Sequence, residues 1–187
     1  MTDSTSSTNL AHDQAALNRY FSEYWVPNHR DGQLTNHARL SKMIKNTERV
    51  LDVGCGQNDF KKYGIDVWGI DPAFDEADEK CTIEEYQPQE LFDVATCLGS
   101  INFGEESVIS AQIAKVVSCL KPNARVYWRL NPGRKDHPHP ECESVPFYPW
   151  SFERLRNFAY QHGFQQVEES VERDDHSIRL FAIWVRY

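Results

Sequence analysis

The segment that decides the fold is Val50-Leu51-Asp52-Val53-Gly54-Cys55-Gly56, a short apolar strand that runs directly into a glycine-rich turn. A second apolar segment, Val67 to Ile70, follows it and ends on Asp71. Glycines at the carboxyl end of a strand allow a ligand to approach the backbone closely, and an acid that closes the next parallel strand can accept hydrogen bonds from a ribose. The pattern predicts a cofactor that contains a nucleoside.

The turn departs from the glycine pattern of dinucleotide-binding proteins. That pattern, G-x-G-x-x-G, carries a third glycine where a helix packs closely against the strand, whereas here the two glycines are followed by Gln57-Asn58-Asp59-Phe60. Asp52 precedes the first glycine by two residues, and a carboxylate suits a cationic or amine-bearing ligand better than a phosphate. We therefore expect a cofactor without a phosphate group.

Taken together, the two segments resemble the first two motifs of the class I S-adenosylmethionine-dependent methyltransferases, matched here by V-L-D-V-G-C-G at 50–56 and G-I-D-P at 69–72. Residues 91–102, L-F-D-V-A-T-C-L-G-S-I-N, resemble the family's fourth strand and the turn that faces the sulfonium. Residues 120–128, L-K-P-N-A-R-V-Y-W, resemble the turn before its fifth strand and the start of that strand. The resemblance covers roughly residues 48–187. It implies S-adenosylmethionine as the cofactor, S-adenosylhomocysteine as the product and methyl transfer as the reaction.

The resemblance also implies the fold class, which is an α/β, Rossmann-like three-layer sandwich. Its mostly parallel seven-stranded sheet ends in an antiparallel C-terminal edge hairpin. The alternation of helical and strand patterns along the chain agrees with a parallel sheet covered on both faces. Helices are predicted at 11–25, 33–44, 105–120 and 151–162, and strands at 49–53, 66–70, 80–83, 92–97, 125–130, 164–171 and 178–186.

Three local signals refine this prediction. Ser151 is a good N-cap for the last helix, and Gly163 supplies its left-handed stop. The segment 57–66 between the glycine turn and the second strand is short, so its helix is reduced to about one turn. Asn58 stands where the family has its third glycine, and asparagine tolerates a positive φ better than most residues, so the turn survives the replacement.

Length and composition bound the organisation of the chain. With 187 residues, 40% of them hydrophobic and 26% charged, it suits one globular domain with a real core. We expect a flexible tail at 1–10 and a single methyltransferase domain at 11–187, in which an N-terminal helical lid (11–47) covers the Rossmann-like core (48–187). Neither a membrane span nor a signal peptide is recognisable, so the expected location is cytoplasmic. The five widely spaced cysteines indicate reduced, mostly structural thiols.

The resemblance assigns ten residues to the cofactor site. Those that line the methionine half or border the sulfonium are Asp52, Gly54, Cys55, Gly56, Leu98, Gly99 and Ser100. Asp71 holds the ribose through a bidentate contact, Pro72 restrains the loop after it, and Ile83 packs on the adenine. The family's third strand usually ends on an acid near the adenine amino group, whereas this chain has Cys81-Thr82-Ile83 followed by Glu84.

Methyl transfer from a sulfonium is an in-line displacement, for which a protein chiefly supplies alignment and exclusion of water. If the acceptor is a hydroxyl or a protonated amine, a base is also needed, and the candidates are His137 and Asp136 in the loop after the fifth strand. The alternative for that loop is a polar, solvent-exposed connection. A metal site is not predicted, because His137-x-His139-x-x-Cys142 has ligand types that zinc accepts but no evident fourth ligand.

Four residues are candidates for contact with the acceptor: Tyr20, Trp25, Asn102 and Asn131. Two of them, Tyr20 and Trp25, form with Trp128 either an aromatic lid over a cationic centre or part of the core. An acceptor site would therefore be built from the N-terminal helices and the loops after the fourth and fifth strands.

Charge leaves the class of acceptor open. The net charge of −8 argues against bulk affinity for nucleic acid. The stretch 107–135 nevertheless contains no acid and forms either a solvated face or an anion site. Its basic residues are Lys115, Lys121, Arg125, Arg129, Arg134 and Lys135.

Three functions follow from these observations. The first is a methyltransferase for a small-molecule acceptor, favoured because the chain has no added recognition domain. The second is a methyltransferase whose acceptor is a protein or nucleic acid read by the basic stretch. The third is a catalytically inactive binding or scaffold protein, which the absent third glycine and the shortened first helix keep open. No membrane partner is expected.

Overall fold

A six-stranded sheet forms the centre of the protein. The computed structural model describes residues 14–24, 36–133, 140, 143, 146–173 and 178–186. Its strands are β1 (Arg49–Val53), β2 (Asp66–Ile70), β3 (Phe92–Cys97), β4 (Leu120–Leu130), β5 (Phe164–Arg173) and β6 (Ile178–Arg186), in the order β2-β1-β3-β4-β6-β5. The first four strands are parallel, and β6 is antiparallel to both β4 and β5. The predicted fold class and its antiparallel C-terminal pair are confirmed.

Helices cover both faces of this sheet. Residues 14–19 form helix α1, which continues as a π-helical turn, Tyr20–Tyr24. The others are α2 (Asn36–Leu40), a 3-10 helix (Asp59–Tyr63), α3 (Glu106–Ser118) and α4 (Phe152–Gln161). One core cluster joins the sheet to α3 and α4, and a second joins it to α2 and the 3-10 helix. The two clusters make the three layers that the sequence predicts.

The local signals at helix ends act as predicted. The Ser151 hydroxyl accepts a hydrogen bond from the backbone N–H of Arg154 at 3.2 Å, and α4 begins at the next residue. After α4, Gly163 adopts a φ of 74°, which glycine reaches without a steric penalty. The segment after the glycine turn holds only a five-residue 3-10 helix. Short-range backbone preferences therefore fix these boundaries.

The seventh strand, predicted near 80–83, is absent from the described part of the sheet. Next to β2 the chain makes one isolated bridge, between Ile70 and Glu79, and continues as turns. The side chain of Asp78 accepts the backbone N–H of Gly69 at 2.9 Å, so a carboxylate occupies a position that a strand carbonyl would otherwise fill. The prediction of a seventh strand at 80–83 is wrong, because the chain leaves the edge of β2 after the bridge at Glu79 and residues 80–83 find no strand partner among the described residues.

The described cysteines are unpaired thiols, in agreement with the prediction. Cys55, Cys97 and Cys119 are buried, Cys81 is partly buried, and Cys142 lies outside the described residues. Burial raises the pKa of each described thiol, which keeps it protonated at neutral pH. Among the described helices, none has both the length and the apolar character needed to cross a bilayer.

Trp128 belongs to the hydrophobic core. Its side chain is fully buried in β4, and its ring centroid lies 4.7 Å from that of Trp184 on β6. A residue enclosed between sheet and helices is not available to an acceptor. The predicted alternative in which Trp128 forms part of an aromatic lid is therefore wrong, and the core alternative holds.

Replacing Trp128 with alanine should leave a large cavity and lower the free energy of unfolding by about 3–5 kcal/mol. Urea denaturation followed by far-UV circular dichroism measures this change. The matched control is Tyr160→Ala, because Tyr160 on α4 is 83% exposed, and its loss should change stability by no more than about 0.5 kcal/mol. Equal losses for the two variants would contradict the assignment of Trp128 to the core.

Candidate functional site

A cavity opens at the carboxyl ends of β1, β2 and β3. Since β2 and β3 lie on opposite sides of β1, this edge is the point where the winding of the sheet changes direction, and ligands of such folds bind there. The cavity holds about 70 Å³. Its walls include residues from the turn after β1 and the loops after β2 and β3, among them Gly54, Pro72, Ile83, Ser100 and Ile101. Four of the ten predicted cofactor residues are therefore brought together: Gly54, Pro72, Ile83 and Ser100.

Asp71 anchors two of these segments. Its carboxylate, in a residue only 7% exposed, accepts the N–H of Gly56 on Oδ2 at 3.0 Å. Oδ1 accepts those of Ala73 at 2.8 Å and Phe74 at 3.3 Å. Burial raises the pKa of Asp71 above its ordinary value, against the effect of these three bonds. Since a carboxylate has about four acceptor positions, one remains on Oδ2. A bidentate ribose contact, as predicted, would need a backbone bond to break.

Gly54 is required by a neighbouring loop. It has a φ of 70°, and a Cβ built on it would lie 2.4 Å from the Cβ of Ser100. The turn after β1 and the loop after β3 therefore touch at this point, and only glycine permits it. From the sequence, this glycine is expected to allow the close approach of a ligand, whereas in the structure Ser100 fills the position.

Asn58, at the position of the missing third glycine, has the positive φ that the sequence analysis expects it to tolerate. Its φ and ψ are 56° and 45°, in the left-handed region. Its Nδ2 donates to the carbonyl of Glu76 at 3.1 Å and to Oδ2 of Asp78 at 3.0 Å. Gly69 on β2 makes room for this side chain, because a Cβ there would lie 2.7 Å from the Asn58 amide oxygen. Gly69 begins the second motif of the sequence, but no role is predicted for it, although a place inside a strand is an unusual one for glycine.

Asp78 completes this connection. Burial by itself would raise its pKa, but the hydrogen bonds from Lys61, the Gly69 N–H and Asn58 outweigh burial and lower the pKa below its ordinary value. The ionised carboxylate thus holds the 3-10 helix, the turn and β2 together. These side-chain bonds act together with backbone hydrogen bonds, in which the N–H groups of Asp78 and Glu79 donate to the carbonyl of Gly69, to hold the segment 71–79 against β2.

Asp52 lies beneath the turn, in the middle of the sheet. It is 1% exposed, and its Oδ1 accepts the hydroxyl of Thr96 at 2.6 Å. Its other oxygen, Oδ2, is buried without a hydrogen-bond partner in the part of the chain that the structure describes. Burial raises the pKa of Asp52 to about 7, with a smaller contribution from the charge of Asp71. The Oδ2 of Asp52 can therefore still accept a hydrogen bond or pair with a cation.

Four other predicted cofactor residues do not line the cavity. Cys55 is buried with its Sγ directed towards Gly69, and Leu98 packs against the core cluster on the face of α2. Gly56 contributes its N–H to Asp71, and the carbonyl of Gly99 accepts the Asn102 amide at 2.7 Å. Cofactor contact for these four stays a prediction.

The predicted acceptor residues have unequal positions. Asn102 and Asn131 are both buried, and the Asn102 Oδ1 accepts the backbone N–H of Asn131 at 2.9 Å. This bond ties the loop after β3 to the loop after β4. Tyr20 is buried on α1 in a small aromatic cluster with Phe21 and Phe103. Trp25, Asp136 and His137 lie outside the described residues, as do the other two members of the zinc-like run, His139 and Cys142.

Two amides that the sequence analysis missed also line the cavity. Gln14 lies on α1, and Gln112 lies on α3 between Ile109 and Ile113, which face the core. For Gln112, the sequence offered one signal, an amide beside the apolar face of an amphipathic helix. Whether that amide reaches the cavity depends on how α3 packs on the sheet.

The fold and the glycine turn define the chain as a member of the class I S-adenosylmethionine-dependent methyltransferases. A family model described as a methyltransferase domain matches residues 18–174. The chain belongs to that family, and the resemblance found in its sequence is confirmed. No curated protein matches the sequence significantly.

Solved methyltransferases share the fold at low sequence identity. The 1,6-didemethyltoxoflavin-N1-methyltransferase of Burkholderia thailandensis, with its acceptor and S-adenosylhomocysteine bound, has a TM-score of 0.75 at 14% identity, covering 100% of this chain and 92% of its own. Magnesium protoporphyrin IX methyltransferase of Synechocystis, with S-adenosylmethionine bound, gives 0.70 at 16%, covering 94% and 97%. The N-methyltransferase NodS of Bradyrhizobium japonicum, with S-adenosylhomocysteine bound, gives 0.64 at 16%, covering 94% and 98%.

The raised pKa of Asp52 predicts a stability that falls as pH rises. Folding favours the protonated carboxyl, so wild type should lose free energy of unfolding between about pH 4 and pH 7 relative to Asp52→Asn, which does not titrate. From pH 5 to pH 8 the difference should shift by on the order of 2 kcal/mol in favour of the variant. Urea denaturation at both pH values measures it. Asp66→Asn, at an exposed position on β2, is the control. Parallel curves for wild type and Asp52→Asn would exclude the effect.

Proposed function

We propose that the protein binds S-adenosylmethionine at the carboxyl ends of β1, β2 and β3 and transfers its methyl group to a small-molecule acceptor. The observation that carries this proposal is the Asp71 carboxylate, which holds the glycine turn through Gly56 and the next loop through Ala73 and Phe74 around one cavity. A buried acid in this position, with one acceptor site left on Oδ2, suits a ribose hydroxyl.

Polar atoms around the cavity support the fit of this cofactor. Ser100 and Gln112 belong to its wall, and the hydroxyl of the first and the amide oxygen of the second are buried without a partner within the described residues. Asp52 lies beneath the turn and is not part of the cavity wall, so contact between its buried Oδ2 and the cationic end of the methionine half would require the turn to shift. Pro72, Ile83 and Ile101 offer apolar surfaces to a flat ring. When bound, S-adenosylmethionine supplies the activated methyl group.

The contact of the N-terminal helix with the cavity supports the lid that the sequence predicts. The cavity of about 70 Å³ is smaller than the roughly 300 Å³ of typical ligand pockets, and Gln14 of α1 forms part of its wall. Leu17 and Tyr20 attach α1 through a small cluster separate from the two main ones. We propose that α1 moves outward to admit the cofactor and then closes to exclude water.

The pairing of basic side chains favours a small-molecule acceptor over a nucleic acid or protein. In the acid-free stretch, Lys121, Arg125 and Arg129 form ion pairs with Asp93, Glu48 and Glu172 respectively. Side chains neutralised in this way do not form a field that attracts phosphates. The Burkholderia structure, whose own acceptor is a small molecule, supports the same choice.

The sequence kept an inactive scaffold open on two grounds, the absent third glycine and the shortened first helix. Asn58 adopts the left-handed conformation and preserves the turn, whereas the helix is indeed reduced to the five residues Asp59–Tyr63. We favour the active enzyme because the turn, which lies at the cavity, is preserved. His137 and Asp136 stay the proposed bases for a hydroxyl or protonated amine acceptor. Replacing either with alanine should then lower kcat, with binding of the cofactor unchanged.

Calorimetric titration with S-adenosylhomocysteine tests the cofactor site. Wild type should bind with micromolar affinity, and Asp71→Ala should weaken binding at least tenfold, because the turn loses its anchor and the ribose its acceptor. Asp66→Ala removes an exposed acid from the other end of β2 and should bind as wild type does. Absence of binding by folded wild type would refute the proposal.

Transfer of a labelled methyl group tests the acceptor. Purified protein, labelled S-adenosylmethionine and cell extract separated into low-mass and macromolecular fractions should yield label in the low-mass fraction alone. The matched control is the Asp71→Ala variant, which should give no label. Label confined to protein or nucleic acid would overturn the choice of a small-molecule acceptor while leaving the cofactor site intact.

A further inference from the structure

Gln112 presents an amide to the cavity from an unexpected element. It lies in the middle of α3, and it shares the cavity wall with Thr82, Ile83 and Glu84 from the loop after β2. Its Nε2 donates to Oε1 of Glu84 at 2.7 Å. Its Oε1 is buried and accepts no hydrogen bond from any described residue. The helix and the loop are thus joined by one side-chain contact at the edge of the cavity.

Glu84 fixes the orientation of this amide. An ionised carboxylate only accepts hydrogen bonds, so it requires the NH₂ group of Gln112 to face it. The carbonyl oxygen of the amide must then point away from Glu84. A flipped amide would place two acceptors against each other, and the contact at 2.7 Å would become repulsive. Gln112 lines the cavity wall, and its carbonyl oxygen is the part of the amide that stays buried and without a partner among the described residues.

A buried acceptor without a partner destabilises the folded protein by about 1–3 kcal/mol, so a ligand that brings a donor is favoured here. Gln14 is the other amide in the cavity wall, and its own NH₂ group donates to Oδ1 of Asn18 at 2.8 Å. The surrounding surfaces of Ile83 and Ile101 are apolar and suit the faces of a flat ring. The end of the cavity near α3 thus fits a ring that carries an amino group.

We propose that Gln112, oriented by Glu84, recognises the 6-amino group of the cofactor's adenine. This inference rests on the proposed function and names a specificity residue within it. The resemblance assigns the polar adenine contact to an acid at the end of the third strand. That strand is reduced here to the bridge at Glu79, and the next residues, Cys81-Thr82-Ile83, contain no acid. In this chain the polar contact to the adenine amino group therefore comes from α3, whereas in the family it comes from the third strand.

Binding of two cofactor analogues tests the proposal. S-adenosylhomocysteine carries a 6-amino donor, whereas S-inosylhomocysteine carries a 6-oxo acceptor, which faces the Gln112 oxygen unfavourably. Calorimetry should show wild type preferring the adenosyl compound at least tenfold. Gln112→Leu should reduce that preference to less than about twofold, mainly by weakening the adenosyl compound, since both analogues then meet an apolar side chain.

Two further variants sharpen the test. Gln161→Leu makes the same change at an exposed position on α4 and should keep the full preference. Glu84→Ala leaves Gln112 in place but frees its amide to rotate. The preference for S-adenosylhomocysteine should then fall although the side chains that contact the ring are unchanged. Thermal unfolding of each variant shows that it is folded before titration.

The outcomes separate this inference from the proposed function. If folded wild type binds neither analogue, the cofactor site itself is refuted. If wild type binds both equally, or if Gln112→Leu keeps a tenfold preference, the role of Gln112 is overturned while the cofactor site stands. A preference lost in Gln112→Leu and Glu84→Ala but kept in Gln161→Leu supports the proposal.

Discussion

The carboxylate of Asp71 is the interaction on which the functional edge of the sheet depends. It closes β2 and accepts N–H groups from the turn after β1 at Gly56 and from the loop after β2 at Ala73 and Phe74. One buried side chain therefore sets the distance between two segments that line the cavity. Burial disfavours its charge and raises its pKa, and the three hydrogen bonds to the ionised form offset only part of that penalty.

The Asn58–Asp78 pair explains how the fold accommodates two departures from its family. The chain lacks a third glycine in the turn and a third strand in the sheet. Asn58, at the position of that glycine, takes a left-handed conformation and bonds to Asp78, which in turn accepts the N–H of Gly69 on β2. A hydrogen-bonded connection thus replaces a strand edge. Residues 81–83, which follow this connection, contain no acid, and the end of the cavity next to them is also lined by Gln112 of α3.

Local sequence signals predicted those parts of the fold that neighbouring residues control. The cap at Ser151, the stop at Gly163 and the left-handed Asn58 all depend on backbone preferences over a few residues. The predicted strand at 80–83 and the lid role of Trp128 failed for another reason. Apolar residues in a short segment are compatible with a strand, a core or a lid, and only packing against distant segments decides among them.

The sequence by itself determined the order of helices and strands, the glycine turn and the acid at Asp71, because periodicity and turn chemistry are local properties of the chain. The tertiary structure alone decided which side chains meet. Gly54 lies against Ser100, and Gln112 lies against Glu84, only because β1 is placed between β2 and β3 and α3 packs on one face. Contacts of this kind depend on the packing of segments far apart in the chain, which no local pattern specifies.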